Sequence, residues 1–150
     1  MTTQPALGRL GQNQRVTFET NSAAETEAAG AELARRLVPG DVVLISGELG
    51  SGKTTLVRGA CRELGVEGVV TSPTFTIGQV YEGRVDVAHL DLYRLESLDG
   101  EDPSLLDDYL TAERVAFVEW PAVGESAIGR VAARVRLEHA VGDRRKVEIE

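Results

Sequence analysis

Residues Gly47-Glu48-Leu49-Gly50-Ser51-Gly52-Lys53-Thr54 complete the pattern G-x-x-x-x-G-K-[ST]. The apolar run Asp41-Val42-Val43-Leu44-Ile45-Ser46 precedes them directly and reads as a buried strand. Thr55 to Leu64 follows as a helix that stops at Gly65. Strand, glycine loop and helix in that order confine the chain to an α/β fold in which the loop joins a strand end to a helix start. The chain has only two lysines, Lys53 and Lys146, against fourteen arginines, yet the loop carries lysine.

Each position of the loop has a physical role. Gly47, Gly50 and Gly52 permit positive φ and let backbone N–H groups approach an anion. The start of the following helix adds unpaired N–H groups and a positive field. Lys53 is a compact positive charge that reaches the β and γ phosphates of a nucleotide, and the Thr54 hydroxyl suits Mg²⁺. The expected phosphate-binding stretch is Leu49, Gly50, Ser51, Gly52, Lys53, Thr54 and Thr55.

The bulk properties fit one soluble domain. The chain has 150 residues, enough for a single core, with 42% hydrophobic and 27% charged residues. No apolar stretch approaches the ~20 residues that span a bilayer, and residues 1–15 lack a signal-like segment, so a cytoplasmic location is expected. Met1 to about Gln14 is expected to be a flexible head, with residues 15–150 forming the domain. The single cysteine, Cys61, rules out an internal disulfide and reads as a small core residue. A net charge of −8 argues against direct binding to nucleic-acid phosphates. From Glu96 to Glu113, ends included, there are seven acidic residues and no basic ones, either a solvated face or a surface for a basic partner.

Periodicity places the remaining elements. Arg15 to Glu19 reads as a short edge strand. Ser22-Ala23-Ala24-Glu25 is a capping box that opens a helix running to about Leu37, which Pro39-Gly40 stops. Ile77–Tyr81 and Val85–Leu90 read as strands around a turn at Glu82-Gly83-Arg84. Pro103 opens a short helix from Ser104 to Leu110. Val115–Val118 is a buried strand. Arg134–His139 and Lys146–Ile149 flank a turn at Gly142-Asp143, and the last of these strands is expected at the edge of the fold. The fold class is therefore α/β: a single-domain sandwich with a mixed, partly parallel central sheet flanked by helices.

A phosphate loop needs acidic partners, and strand ends on the same sheet edge supply them. Asp91 follows the strand Val85–Leu90, and Glu119 follows Val115–Val118. One of the two should hold Mg²⁺ and the other should orient or deprotonate a water. Thr71-Ser72-Pro73-Thr74-Phe75-Thr76, with four hydroxyls around one proline, suits a loop that senses a γ phosphate or completes a Mg²⁺ shell. Trp120 suits a lid over the site, a position facing a partner, or a core anchor. His89 reads as a structural histidine. Arg94 suits an internal arginine finger or a carboxylate partner.

Four segments occur together: Gly47 to Thr55, Thr71 to Thr76, His89-Leu90-Asp91-Leu92-Tyr93-Arg94-Leu95, and Val118-Glu119-Trp120-Pro121. In that order they resemble the TsaE (YjeE) family, P-loop ATPases of bacterial tRNA threonylcarbamoyl-adenosine biosynthesis. The resemblance runs from about Phe18 to Glu150. It implies ATP and Mg²⁺ as ligands, weak hydrolysis alone, and action with TsaD and TsaB, with tRNA met only through that complex and no membrane. It implies that Lys53 and Thr54 bind phosphate and Mg²⁺ and that Glu119 binds Mg²⁺. It also makes Asp91 catalytic, puts Trp120 near the nucleotide and Ser22 near its base, and brings in an arginine of the last hairpin. Arg145 aligns best for that arginine, with Arg144 as the alternative. Two departures stand out: Leu90 where the family usually has phenylalanine, and no glycine in Ser104–Tyr109.

Two other functions share these residues. A nucleotide-dependent scaffold would bind ATP without needing turnover. A small-molecule kinase would need an acceptor pocket and an arginine-bearing lid, for which the last hairpin is short. Neither Asn13 nor Asn21 sits in an Asn-Lys-x-Asp setting that reads guanine.

Overall fold

Three strands of near-continuous apolar character and a fourth that alternates buried with exposed residues form the centre of the protein; the first three are buried on both sheet faces. In a computed structural model, residues 15–48, 51–71, 78–92, 104–119 and 131–150 are described. The elements are β1 (Val16–Thr20), α1 (Ala23–Ala34), β2 (Val42–Gly47), α2 (Lys53–Glu63), β3 (Gly78–Tyr81), β4 (Asp86–Asp91), α3 (Ser104–Asp107), β5 (Arg114–Glu119), β6 (Ala133–His139) and β7 (Arg145–Ile149). They build one seven-stranded sheet in the order β1-β7-β6-β2-β5-β4-β3.

The inner strands β6, β2, β5 and β4 are mutually parallel. The pairs β3–β4, β6–β7 and β1–β7 are antiparallel. The mixed sheet expected from the sequence is therefore present, with its antiparallel pairs at both sides. The expectation for the last strand is corrected. β7 lies between β6 and β1, and β1 is the edge. Val147 and Ile149 are fully buried there, so an exposed edge position would strand two apolar side chains.

Alternation along the strands sorts the core into two faces. Val43, Ile45, Val87, Val115, Phe117, Val135, Leu137, Val147 and Ile149 pack with Leu33 of α1 and with Leu56, Val57, Ala60 and Cys61 of α2. Val42, Leu44, Ala88, Leu90, Ala116 and Val118 face the other way, toward Leu106, Tyr109 and Leu110. Phe117 is fully buried near the middle of the larger face. Burying a ring of that kind contributes about 1.5–3 kcal/mol. Burial pushes the Cys61 thiol up to about 12, which leaves it an unreactive protonated core group, as expected.

Helices α1 and α2 meet almost backbone to backbone. A Cβ on Gly30 would lie 1.9 Å from the Leu56 carbonyl oxygen, and one on Gly59 1.9 Å from that of Glu27. Any side chain at either position would push the helices apart. Their close contact fixes the first turn of α1 beside the start of α2.

The ends of the elements differ slightly from expectation. α1 is capped by Ser22, whose hydroxyl accepts from the Glu25 N–H. It ends at Ala34, and tighter turns at Arg36 and Leu37 complete the expected span. α2 starts two residues early, at Lys53, and Asp91 belongs to β4. α3 is shorter than expected, although bonds from Tyr109 and Leu110 back to Leu106 continue the turn. The expected flexible head, residues 1–14, lies outside the described residues. Among the described residues, no helix is long and apolar enough to cross a membrane. The acidic run is described only in part, where Asp107, Asp108 and Glu113 are exposed.

Candidate functional site

The loop leaves the C-terminal end of β2, a central strand, and enters α2 at Lys53. Its conformation depends on glycine at two described positions. Gly47 has φ 150°, and a Cβ there would lie 2.4 Å from the Leu137 carbonyl oxygen and 2.7 Å from Ser51 Oγ. Gly52, the N-cap of α2, has φ 101°, a left-handed conformation that costs other residues roughly 1–2 kcal/mol.

The start of α2 is built unlike that of α1. No side chain caps it, and its first turn holds no acidic residue. The first-turn N–H groups and the helix dipole therefore remain directed at the loop. Lys53 curls over the same space, donating to the carbonyl oxygens of Gly47 at 2.7 Å and Glu48 at 3.2 Å. Ser51 is buried, and its Oγ has no hydrogen-bond partner among the described residues. Thr54 and Thr55 occupy the first turn and are partly exposed.

Two other segments close over Gly52. Thr26 Cγ2 of α1 lies 3.6 Å from where a Gly52 Cβ would be, and Arg145 Nε of β7 lies 3.7 Å from it. Arg145 shares its sheet face with the buried Val147 and Ile149, the face that carries α1 and α2. Arg144 is drawn elsewhere, pairing with Glu19 at 3.1 Å on the exposed surface. Of the two arginines, Arg145 is thus the one beside the loop. Ser22 spends its hydroxyl on capping α1, and its carbonyl accepts from Thr26 Oγ1 at 3.2 Å.

Asp91 and Glu119 are direct neighbours in the β4–β5 register, and Glu119 is also in register with Ile45 of β2. Both carboxylates therefore sit at the same sheet edge as the loop. Alternation from Val87 and Val115 puts both on the face that carries α2. Successive strands are about 4.8 Å apart, so Glu119 stands one strand from the loop strand and Asp91 stands two. Glu119 is 3% exposed, while Asp91 is half-buried. His89 Nε2 lies 3.0 Å from Glu119 Oε2, with both side chains buried.

Sequence reasoning missed Thr26 and the partnership of His89. For Thr26 the signal was its place one turn after the Ser22 cap. For His89 it was the spacing of two residues from Asp91, which in a strand means the same face. Leu49, Gly50, Trp120, Arg94 and the Ser72–Thr76 part of the hydroxyl-rich run lie outside the described residues. Among the described residues, no three His, Cys, Asp or Glu side chains converge to cage a metal ion.

A loop of this kind on a parallel central strand, with two carboxylates on the same edge, defines a P-loop NTPase-like α/β protein. Its fold is similar to the crystal structure of Bacillus subtilis YdiB, with a TM-score of 0.74 and 29% identity, covering 91% of this chain and 84% of that one. Residues 20–147 match the profile of the family described as "Threonylcarbamoyl adenosine biosynthesis protein TsaE". The tRNA threonylcarbamoyladenosine biosynthesis protein TsaE of Streptomyces coelicolor is 43% identical over 117 residues, spanning 76% of this chain and 79% of that protein. The protein of the same name from Bacillus subtilis is 34% identical over 135 residues, spanning 89% and 84%. The chain belongs to the TsaE family of tRNA threonylcarbamoyladenosine biosynthesis proteins.

Proposed function

We propose that the protein is a cytoplasmic, Mg²⁺-dependent ATPase, slow alone, that acts as a nucleotide switch for a TsaD–TsaB complex modifying tRNA. The observation that carries this reading is the convergence on one sheet edge of an uncapped helix start, Lys53, and the neighbouring carboxylates Asp91 and Glu119. The loop amides and Lys53 bind the phosphates. Arg145 lies over Gly52, where it adds a second positive charge to the cradle.

The donor set fits a metal that arrives with its nucleotide. Mg²⁺ sites use one or two carboxylates together with substrate phosphates rather than an all-protein cage. Thr54 and Glu119 would hold the ion, which would neutralise charge on the phosphates. Two features favour Glu119 over Asp91 as the ligand: its nearness to the loop strand and its fixed, buried position. Asp91, one strand further out and more accessible, is placed to orient a water and accept its proton. TsaD and TsaB-like proteins are the partners, and the net charge of −8 favours contact with tRNA only through them.

The test is ATP turnover measured alone and with TsaD plus TsaB. A slow basal rate should rise when both partners are added. Partner-supplied groups in other phosphate-loop switches give increases of up to about 10³–10⁵. Equal rates would remove the switch part of the proposal, and no turnover in either mixture would remove the ATPase.

A further inference from the structure

His89 is fully buried in the middle of a strand, an expensive place for an imidazole unless it is hydrogen-bonded. Val87, Val115 and Phe117 surround it with apolar side chains on the same sheet face, while Gln79 stands opposite it on β3 and Asp91 follows two residues along β4. Its polar contact is with Glu119, whose Oε2 lies 3.0 Å from Nε2. Nδ1 has no hydrogen-bond partner among the described residues. With Glu119 ionised, the state a metal ligand needs, Nε2–H donates and the carboxylate accepts. The imidazole is held by β4 and the carboxylate by β5, whose parallel register puts His89 opposite Phe117 and Asp91 opposite Glu119. One oxygen of Glu119 is thereby held, which restricts rotation of the carboxylate.

We infer that His89 is a positioning residue: it holds one oxygen of Glu119 so that the other is aimed at the metal carried by the nucleotide. The inference rests on the Mg²⁺–ATP reading proposed above. Its physical basis is general, since partners that orient a ligating carboxylate tune metal affinity without touching the ion. A carboxylate free to rotate would have to be ordered each time a metal–nucleotide complex bound, and that ordering would weaken the complex.

The test uses Mn²⁺ as the probe, with its electron paramagnetic resonance signal reporting the ion bound by the protein–ADP complex. His89→Leu removes the donor. His89→Asn keeps a polar group but is too short to reach Glu119. His89→Gln carries an amide N–H to about the place of Nε2. The Leu and Asn variants should bind Mn²⁺ about 10- to 100-fold more weakly, the usual loss for this kind of partner, while the Gln variant keeps the wild-type affinity. In a Glu119→Gln background, His89→Asn should cause no further loss. ADP affinity in excess EDTA should be the same for all variants, which a general collapse of the site would not allow. A folded Leu or Asn variant with wild-type Mn²⁺ affinity overturns the inference; if the Leu variant does not fold, the Asn variant decides. A wild-type ADP complex that ignores Mn²⁺ overturns the metal reading itself, and this inference with it.

Discussion

Replacing Lys53 with alanine is expected to leave a folded protein that has lost most of its affinity for ATP. Lys53 sits on the first turn of α2, and its ammonium spans the loop by bonding the Gly47 and Glu48 carbonyl oxygens. Those bonds are partly exposed, and alanine is the best helix former, so the fold should survive the change. The phosphates would lose their nearest mobile positive charge. Truncating one side of a desolvated charge pair costs about 2–5 kcal/mol, roughly 30-fold to several-thousand-fold in Kd. Calorimetry with Mg²⁺–ATP measures the change, with circular dichroism as the control for folding. Arginine should not rescue the site, because its wide planar head cannot replace a point charge between the loop and the phosphates. Unchanged affinity in Lys53→Ala would mean that the nucleotide, if bound at all, lies elsewhere.

Asp91→Asn should separate binding from turnover. Asparagine keeps the shape of the side chain at the end of β4 but cannot accept a proton from water. General-base catalysis contributes about 10²–10⁴ in rate, so kcat should fall by that order while Mg²⁺–ATP still binds. The same substitution at Glu119 should instead weaken the metal-dependent part of binding, so the two neighbouring carboxylates should give distinct defects. A normal kcat in Asp91→Asn would remove its catalytic role. The variant also separates a switch from a passive scaffold. If it binds ATP, does not hydrolyse it, and still supports tRNA modification in a reconstituted reaction, turnover is not needed.

Much of this arrangement is legible in the sequence because it rests on local patterns. The glycine loop, the apolar run before it and the capping box at Ser22 act within a few residues of themselves. They therefore mark β2, α2 and α1 to within two or three residues. The choice of Arg145 beside the loop was also open to local reasoning, since it shares the period-two face of Val147 and Ile149. Contacts between distant strands are another matter. The His89–Glu119 pair depends on the parallel register of β4 and β5, and no hairpin turn fixes that register. A buried histidine next to apolar residues looks like packing until the strand beside it is known.

The misplaced edge has the same origin. The turn at Gly142-Asp143 announces the β6–β7 hairpin, but nothing local says that β1 returns to pair with β7, with Val16 opposite Ile149. That long-range pairing buries β7 and places Arg145 at a sheet interior position beside the loop. The close packing of α1 on α2 through Gly30 and Gly59 was likewise hidden, because each glycine reads alone as a mild helix defect. Only the three-dimensional fold shows that the two admit the facing backbone and carry Thr26 to Gly52.

The most direct measurement is a crystal structure with Mg²⁺ and a non-hydrolysable ATP analogue. The β and γ phosphates should lie against the start of α2, with Lys53 Nζ turned from the Gly47 and Glu48 carbonyls toward them. Mg²⁺ should touch Thr54 and Glu119, and Asp91 should face the water beyond the γ phosphate. An analogue seated anywhere else, or none in the loop at saturating concentration, would contradict the assignment of this loop as the site of the protein's chemistry.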